Sequence, residues 1–334
     1  MLTPKTNHLL IRHFDSLDRA VSKRLTRKRP WPEPALTSLL CDLLDSDTQA
    51  DEPLDYPLSA LNVDLQKFEG LLKVSVQIQT HEYDPAMERW VTQADLGLVI
   101  NVIDHLSPNE SWNISWLLQA KRLYPDCRNP LRYSEASRFG GIDAKQAQRI
   151  ARLIEAVEVP FVTYLLYCPR PAALDQLVQS KLAYLRNQSL THHIFDYTFG
   201  QELYNDLGTT ESTLAAGLFT CEPGDLPMNL GQVHRQVLRG CSPLSWFLTS
   251  HFQNAGARHI PGQVDRRFPG RLPNVPEQRA KGIVTGDAET IRWLVRALAE
   301  TDEGPFPVLP HHTLTIEIEI GGDLDPERRR IREE

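Results

Sequence analysis

The chain has 334 residues, of which 41% are hydrophobic and 24% charged, and its formal net charge is −7. These values are typical of an ordinary globular protein with one large or two modest domains. No apolar run is long enough to cross a bilayer, and the N-terminus lacks the basic-then-apolar pattern of a signal peptide. The five cysteines include no Cys-x-x-Cys pair, which argues against a zinc site and against a disulfide framework. We therefore expect a reduced, cytoplasmic protein without a membrane partner, either monomeric or oligomeric.

The N-terminal segment is strongly basic. Residues 1–30 carry eight basic residues against Asp15 and Asp18, a local balance of +6, so the rest of the chain sums to −13. A basic segment on an acidic body suits contact with a nucleic-acid backbone. Arg27, Lys28 and Arg29 are the candidate phosphate contacts; a solvated end of a surface helix is the alternative. Residues 1–32 are predicted to form a basic helix or arm.

The next elements are a helix and a strand. Leucines at helical spacing from Leu36 to Leu44 predict an α-helix, and the alternation from Val74 to Gln79 predicts a strand. A second strand follows, in which Leu96 to Val102 alternate so that Asp95 and Gly97 share the face away from the core.

Gly97 removes a side chain beside the Asp95 carboxylate. That space is what a phosphate and a hydrated cation need, and a local bulge is the alternative explanation. The polar stretch Asp104 to Ser111 then predicts a hairpin loop.

The third strand, Trp116 to Lys121, places Gln119 and Lys121 on one face. An acid, an amide and an amine on the same side of a hairpin match the ligand set of a divalent-metal phosphodiesterase. A lysine that only extends to solvent is the alternative for Lys121. A helix capped by Asp143, with Gln146 in its first turn, then leads into Pro160 to Tyr167, a run typical of a strand buried on both faces.

This order of elements, together with the Asp95 strand and the Gln119-Ala120-Lys121 strand end, resembles the PD-(D/E)XK restriction-endonuclease-like superfamily. More narrowly, the chain is similar to the Gln-x-Lys branch found in prokaryotic restriction and anti-phage defence nucleases. The resemblance covers roughly residues 33–170. It implies an α/β fold with an α-β-β-β-α-β core, a mixed central sheet and flanking helices.

The resemblance also implies a role for each site residue. Asp95 would anchor Mg²⁺ (or Mn²⁺), and Gln119 would add a neutral carbonyl oxygen where the family more often has an acid. Lys121 would hold the attacking water or the scissile phosphate. Glu33 stands where the family commonly has a first-helix glutamate, and would complete the metal site. Glu88, which is closer to Asp95 in sequence, is the alternative.

The C-terminal half is predicted to be mostly helical, with helices over 172–188 and 288–300 and a strand over Leu314 to Ile320. Between residues 255 and 282 a basic, proline-rich stretch predicts irregular structure. Within it, Arg266 and Arg267 are candidate DNA contacts, and a mobile linker is the alternative.

We therefore predict a basic segment (1–32), a nuclease core (33–175) and a mostly helical C-terminal region (176–334). The function predicted is a Mg²⁺-dependent DNA endonuclease, a hydrolase serving as a defence or restriction effector, with DNA and partner proteins of a defence system as partners. A catalytically silent binding or assembly subunit of the same fold, or a phosphodiesterase acting on RNA, are the alternatives.

Overall fold

The computed structural model describes residues 3–45, 47–49, 53–68, 72–80, 94–128, 130–141, 144–190, 212–252, 275–299 and 310–321. None of the helices in these ranges combines the length and the apolar character that a membrane span requires. The described helices are α1 (Pro4–Ser22), α2 (Glu33–Leu44), α3 (Leu58–Phe68), α4 (Ala144–Val157), α5 (Gln176–Leu190), α6 (Leu230–Arg235), α7 (Leu244–Ser250), α8 (Val275–Val284) and α9 (Ala288–Ala299). The described strands are β1 (Leu72–Thr80), β2 (Ala94–Asp104), β3 (Trp112–Arg122), β4 (Cys127–Arg128), β5 (Leu131–Arg132), β6 (Val162–Tyr167), β7 (Leu218–Cys221), β8 (Cys241–Pro243) and β9 (Pro310–Ile320).

Seven of the described strands form one sheet in the order β1-β9-β2-β3-β6-β7-β8. The sheet is mixed, because β2 and β9 run parallel, as do β3 and β6, whereas the other neighbours are antiparallel. The structure thus confirms the predicted α/β class with a mixed central sheet and helices. Strands β7, β8 and β9 belong to the same sheet as β1 to β6, so the sheet crosses the boundary predicted at residue 176.

The predicted helix and strands between residues 33 and 167 are all present as α2, β1, β2, β3, α4 and β6. Their neighbours in the sheet differ from their order in the chain. β9 lies between β1 and β2 and pairs with both, from Leu72↔Ile320 on one side to Ala94↔Pro310 on the other. Sequential strands in the chain are therefore not all adjacent in the sheet.

Helices cover both faces of the sheet. One face packs against α1, α2, α3 and α7, and this core includes Leu98 of β2 and Trp116 of β3. The other packs against α4, α8 and α9, with α5 and α6 toward the β7 side, and includes Val99 and Leu117. Each central strand is thus buried on both sides, as expected for strands flanked by helices.

The Gly97 face of β2 is not the open polar surface that the alternation predicts. A Cβ atom at Gly97 would lie 2.8 Å from the carbonyl oxygen of Val284, at the end of α8, and 2.9 Å from Oγ1 of Thr313. The absent side chain therefore makes room for α8 and β9 rather than for a phosphate. The prediction failed because one strand's alternation does not show what covers its second face.

The sequence predicts irregular structure over residues 255–282 because of the prolines there. For the part from residue 275 onward this prediction is wrong. Helix α8 runs from Val275 to Val284, and Pro276 lies in its first turn. Proline is tolerated there because the first amides of a helix have no intrahelical acceptor. Residues 253–274, with Arg266 and Arg267, lie outside the described ranges.

The basic N-terminal segment forms a core helix. Apolar residues of α1 at helical spacing, such as Leu10, Phe14 and Leu17, are at most 1% exposed. On its polar side, the Asp18 carboxylate accepts hydrogen bonds from Nη1 of Arg170 at 2.7 Å and from the backbone N–H of Gly217 at 2.9 Å. This buried ion pair fixes α1 to the ends of β6 and β7.

Candidate active site at the end of β3

Gln119 and Lys121 lie near the C-terminal end of β3, on the same side of the strand as Leu117. Leu117 belongs to the core formed with α4 and α8, so this side of the strand is covered. Both polar residues are only 5% exposed. The strand is fixed on either side, by β2 through Leu118↔Leu96 and by β6 through Gln119↔Tyr164. The predicted shared face is thus confirmed, but it is enclosed rather than solvated.

Lys121 is a buried cation without a structural counterion in the described part of the chain. None of the described residues accepts a hydrogen bond from its ammonium group or forms an ion pair with it. Removing an ammonium group from water without pairing it costs several kcal/mol, on the order of the penalty for other buried charges. A residue that costs stability without a structural partner is a candidate for function.

A loop that the sequence does not predict closes over Lys121. After β3 the chain forms the β4–β5 hairpin and returns alongside the strand end, where the Gly140 N–H donates to the Arg122 carbonyl at 3.2 Å. Gly141 follows with φ +68°, and a Cβ atom there would lie 3.7 Å from Nζ of Lys121. Glycine suits this position because the left-handed conformation costs it nothing. The ammonium group thus lies close to a glycine backbone.

Glu33 reaches the same strand end from the other layer. It begins α2, and its Oε2 accepts a hydrogen bond from the backbone N–H of Arg122 at 2.9 Å. The helix is tied to β6 as well, because Oγ1 of Thr37 lies 3.0 Å from the Tyr167 hydroxyl. The Glu33 carboxylate therefore contacts the backbone of the residue that directly follows Lys121.

Arg122, Tyr124 and Tyr133 are site neighbours that the sequence analysis does not single out. The Arg122 guanidinium lies 4.8 Å from the centre of the Tyr124 ring, and Arg122 is 8% exposed. Burial raises the pKa of Tyr133 to about 12, against the lowering effect of the nearby Arg122 charge and hydrogen bond. The sequence signal that could have indicated Arg122 is its position directly after the Gln-x-Lys motif.

Asp95 is described only in part. Its backbone is the second residue of β2. The β2–β3 register, in which Leu96 faces Leu118, sets position 95 opposite Gln119 when it is extended by one residue. The side chain of Asp95 and the whole of Glu88 lie outside what the structure describes. Among the described residues, no three His, Cys, Asp or Glu side chains form a group able to hold a metal ion.

The basic residues of the α1–α2 connection lie at this end of the sheet. The Tyr133 hydroxyl donates to the Leu25 carbonyl at 3.0 Å, which joins the connection to the loop that covers Lys121. Arg27, Lys28 and Arg29 are all exposed in that connection. The guanidinium of Arg27 lies 5.6 Å from the centre of the Trp31 ring, so its position is partly fixed.

Glu33, Gln119 and Lys121 thus lie at the same end of β3, with position 95 opposite Gln119 in register. Glu88, Arg266 and Arg267 lie outside the described residues. An amide and a carboxylate oxygen can contribute to a hard-cation site, and an ammonium can neutralise negative charge that develops on a substrate. Comparisons of the chain with protein-family models, with curated proteins and with solved structures found no match.

Proposed function

We propose that the protein is a metal-dependent endonuclease whose core is of the restriction-endonuclease-like type. The single observation that carries the proposal is Lys121, a 5%-exposed ammonium two residues after Gln119, without a counterion among the described residues. A fixed cation next to oxygen donors suits a substrate that brings its own negative charge. A phosphodiester is such a substrate, and its transition state carries more charge than its ground state.

Three oxygen donors would hold the metal: Asp95, Gln119 and Glu33. The fit is supported by the strand register, since directly opposite residues of antiparallel strands have Cβ atoms about 4.5–5.5 Å apart. When bound, Mg²⁺ or Mn²⁺ supplies Lewis acidity and lowers the pKa of a bound water. The Lys121 ammonium orients the scissile phosphate and offsets its charge, while the Gly140-Gly141 backbone over it limits access of bulk water.

The basic connection between α1 and α2 supports a nucleic-acid substrate. Lys28 and Arg29 are exposed at the same end of the sheet as Lys121, where phosphate contacts would position a strand without reading its sequence. DNA is the substrate proposed, and a role in prokaryotic restriction or anti-phage defence is part of the proposal. That setting depends only on the resemblance of the Gln-x-Lys strand.

Cleavage assays on purified protein test the proposal. Supercoiled plasmid, linear DNA and RNA are incubated with Mg²⁺, with Mn²⁺ and with chelator. We expect nicking or linearisation of plasmid that needs the metal, and its loss in Lys121→Met. The matched control is Lys67→Met, because Lys67 is exposed on α3 and pairs with Asp64. Equal cleavage by wild type and Lys121→Met would overturn the site, and cleavage of RNA alone would change the substrate.

A catalytically silent subunit of the same fold is the second candidate. It is favoured by the amide at Gln119 in place of an acid and by the structural hydrogen bond that Glu33 already makes to Arg122. In that case wild type would bind DNA without cutting it under any metal condition. Gln119→Glu would also fail to produce cleavage, since the remaining ligands would not be in place.

A further inference from the structure

A cavity of about 280 Å³ opens beside the C-terminal end of α1. Its lining includes Arg19, Lys23, Arg24 and Arg27, from α1 and the turns after it, together with Leu54 and Asp55. The cavity is close to the lower end of the volumes of small-molecule sites. The residues proposed for the active site are not among those that line it, and of the three candidate phosphate contacts Arg27 alone does so.

Three of the four cations lie on one side of the helical path because of their spacing, and Arg24 follows Lys23 directly. Ser16, Arg19, Lys23 and Arg27 recur every three or four residues, and the turns after α1 continue the helical path, with the Arg24 N–H donating to the Val21 carbonyl at 3.0 Å. The residues between them face the core instead: Leu17, Val21 and Leu25 are at most 1% exposed. The chain thus separates an apolar face from a cationic face that borders the cavity.

This arrangement is costly for folding. Arg19 and Lys23, and likewise Lys23 and Arg27, are like charges four residues apart, and such pairs destabilise a helical segment. Asp15 offsets part of the charge, since its Oδ2 lies 2.8 Å from Nε of Arg19. Of the described residues that line the cavity, Asp55 alone is acidic. An anion bound in the cavity would offset the remaining repulsion.

Two of the arginines are held in place. The guanidinium groups of Arg24 and Arg27 lie 5.0 Å and 5.6 Å from the centre of the Trp31 ring, within cation–π range. Side chains already ordered in the free protein lose less entropy when they bind a ligand. The exposed Lys23 has no described hydrogen-bond acceptor, so its ammonium group can turn toward the cavity.

We infer that this cavity binds a phosphomonoester group, carried either by a free mononucleotide or by the 5′ end of a nucleic-acid strand. Guanidinium groups donate two parallel hydrogen bonds to phosphate oxygens, and a dianion matches the excess of cations. The Pro53-Leu54 wall adds apolar surface for the part of the ligand that carries the phosphate. The inference is independent of the proposed cleavage, because it involves none of the residues at the end of β3.

Binding measurements in chelator, where metal-dependent cleavage cannot occur, test the inference. Calorimetry compares AMP with adenosine, and fluorescence anisotropy compares a 5′-phosphorylated single strand with the same strand ending in a 5′-hydroxyl. The pocket variant is Lys23→Gln combined with Arg27→Gln. The matched control is Lys73→Gln combined with Arg239→Gln, which removes the same charge from two exposed positions outside the cavity lining and outside the proposed phosphate contacts.

We expect the pocket variant to weaken binding of the phosphorylated probe at least about tenfold, because it loses charge-assisted hydrogen bonds to the phosphate. The affinity of the control variant for AMP should stay within about twofold of the wild-type affinity. Tight AMP binding with equal affinity for both strands identifies a free nucleotide, and preference for the phosphorylated strand identifies a strand end. Two results would overturn the inference. One is an affinity for AMP no higher than for adenosine, together with equal affinities for the two strands. The other is an equal loss of affinity in the pocket variant and in the control variant. Thermal melting checks folding, and the single variant Lys23→Gln replaces the double variant if the latter does not fold.

Discussion

The carboxylate of Glu33 accepts the backbone N–H of Arg122 at 2.9 Å, which joins the first turn of α2 to the last residue of β3. This contact gives Glu33 a structural role beside its proposed role as a metal ligand. The substitutions Glu33→Gln and Glu33→Ala separate the two roles. The amide oxygen of glutamine can still accept the hydrogen bond from the Arg122 N–H but is a much weaker ligand for Mg²⁺ than a carboxylate, whereas alanine can do neither.

Glu33→Gln should therefore keep the fold and lose cleavage, whereas Glu33→Ala should lose both cleavage and about 1–3 kcal/mol of unfolding free energy, the cost of an unsatisfied N–H. Urea unfolding and plasmid nicking give the two readouts. Full cleavage by Glu33→Gln would remove Glu33 from the metal site while leaving its structural role intact.

Gly97→Ala should destabilise the protein by about 1–3 kcal/mol, the usual cost of overpacking. The added methyl group would lie 2.8 Å from the Val284 carbonyl oxygen, where backbone cannot easily yield. Gly224→Ala is the matched control, because a Cβ atom there has nothing within 4 Å. Thermal or urea unfolding of both variants checks the prediction, and equal stabilities would show that α8 is not held tightly against β2.

Asp18→Ala should destabilise the protein by about 3–5 kcal/mol, since it leaves a buried charge and buried amides without their partner. The groups affected are Nη1 of Arg170 and the N–H groups of Gly217 and Leu218. Asp42→Ala on the exposed side of α2 is the control and should change stability by less than about 0.5 kcal/mol. A similar small change in Asp18→Ala would mean that the ion pair contributes no net stability.

The His13 ring should make the protein less stable in acid. Burial lowers its pKa from 6.5 to about 4, against the raising effect of the hydrogen bond between Nδ1 and the Tyr56 carbonyl. Between these two values the unfolded chain binds the proton and the folded protein does not. The stabilisation is therefore complete above pH 6.5 and declines as the pH falls to about 4, by on the order of 3 kcal/mol in total.

His13→Asn keeps a donor for the Tyr56 carbonyl but cannot titrate. Unfolding free energies measured from pH 7 to pH 4 should fall less steeply in this variant than in the wild type. The other histidines are present in both proteins, so their contributions cancel in the comparison. Parallel curves would show that the folded protein binds a proton at His13 as readily as the unfolded chain.

The elements between residues 33 and 167 can be predicted because each carries a local pattern. Alternation fixes β1 to β3, a continuous apolar run fixes β6, and leucine spacing fixes α2. β7 and β8 are missed because they have four and three residues, too few for a pattern. The core position of α1 is missed because the basic residues of this segment predict an exposed helix or arm. The helical spacing of Leu10, Phe14 and Leu17 indicates the buried face.

The site follows the same rule. Strand alternation alone puts Gln119 and Lys121 on one face, and the family resemblance suggests Glu33. Gly141 lies twenty residues after Lys121, and only the return of the chain alongside β3 brings its backbone to the ammonium group. That closure depends on tertiary contacts, which no single stretch of sequence specifies.

The position of β9 affects how the protein is made. Because β9 fills the gap between β1 and β2, a nascent chain on the ribosome has two unpaired strand edges until residues 310–320 have emerged. Contacts between segments far apart in a chain form slowly, since a long loop must close before they contribute. Until then the two edges are open to pairing with other chains. Folding of the sheet, and any activity that depends on it, should therefore wait until residues 310–320 have emerged.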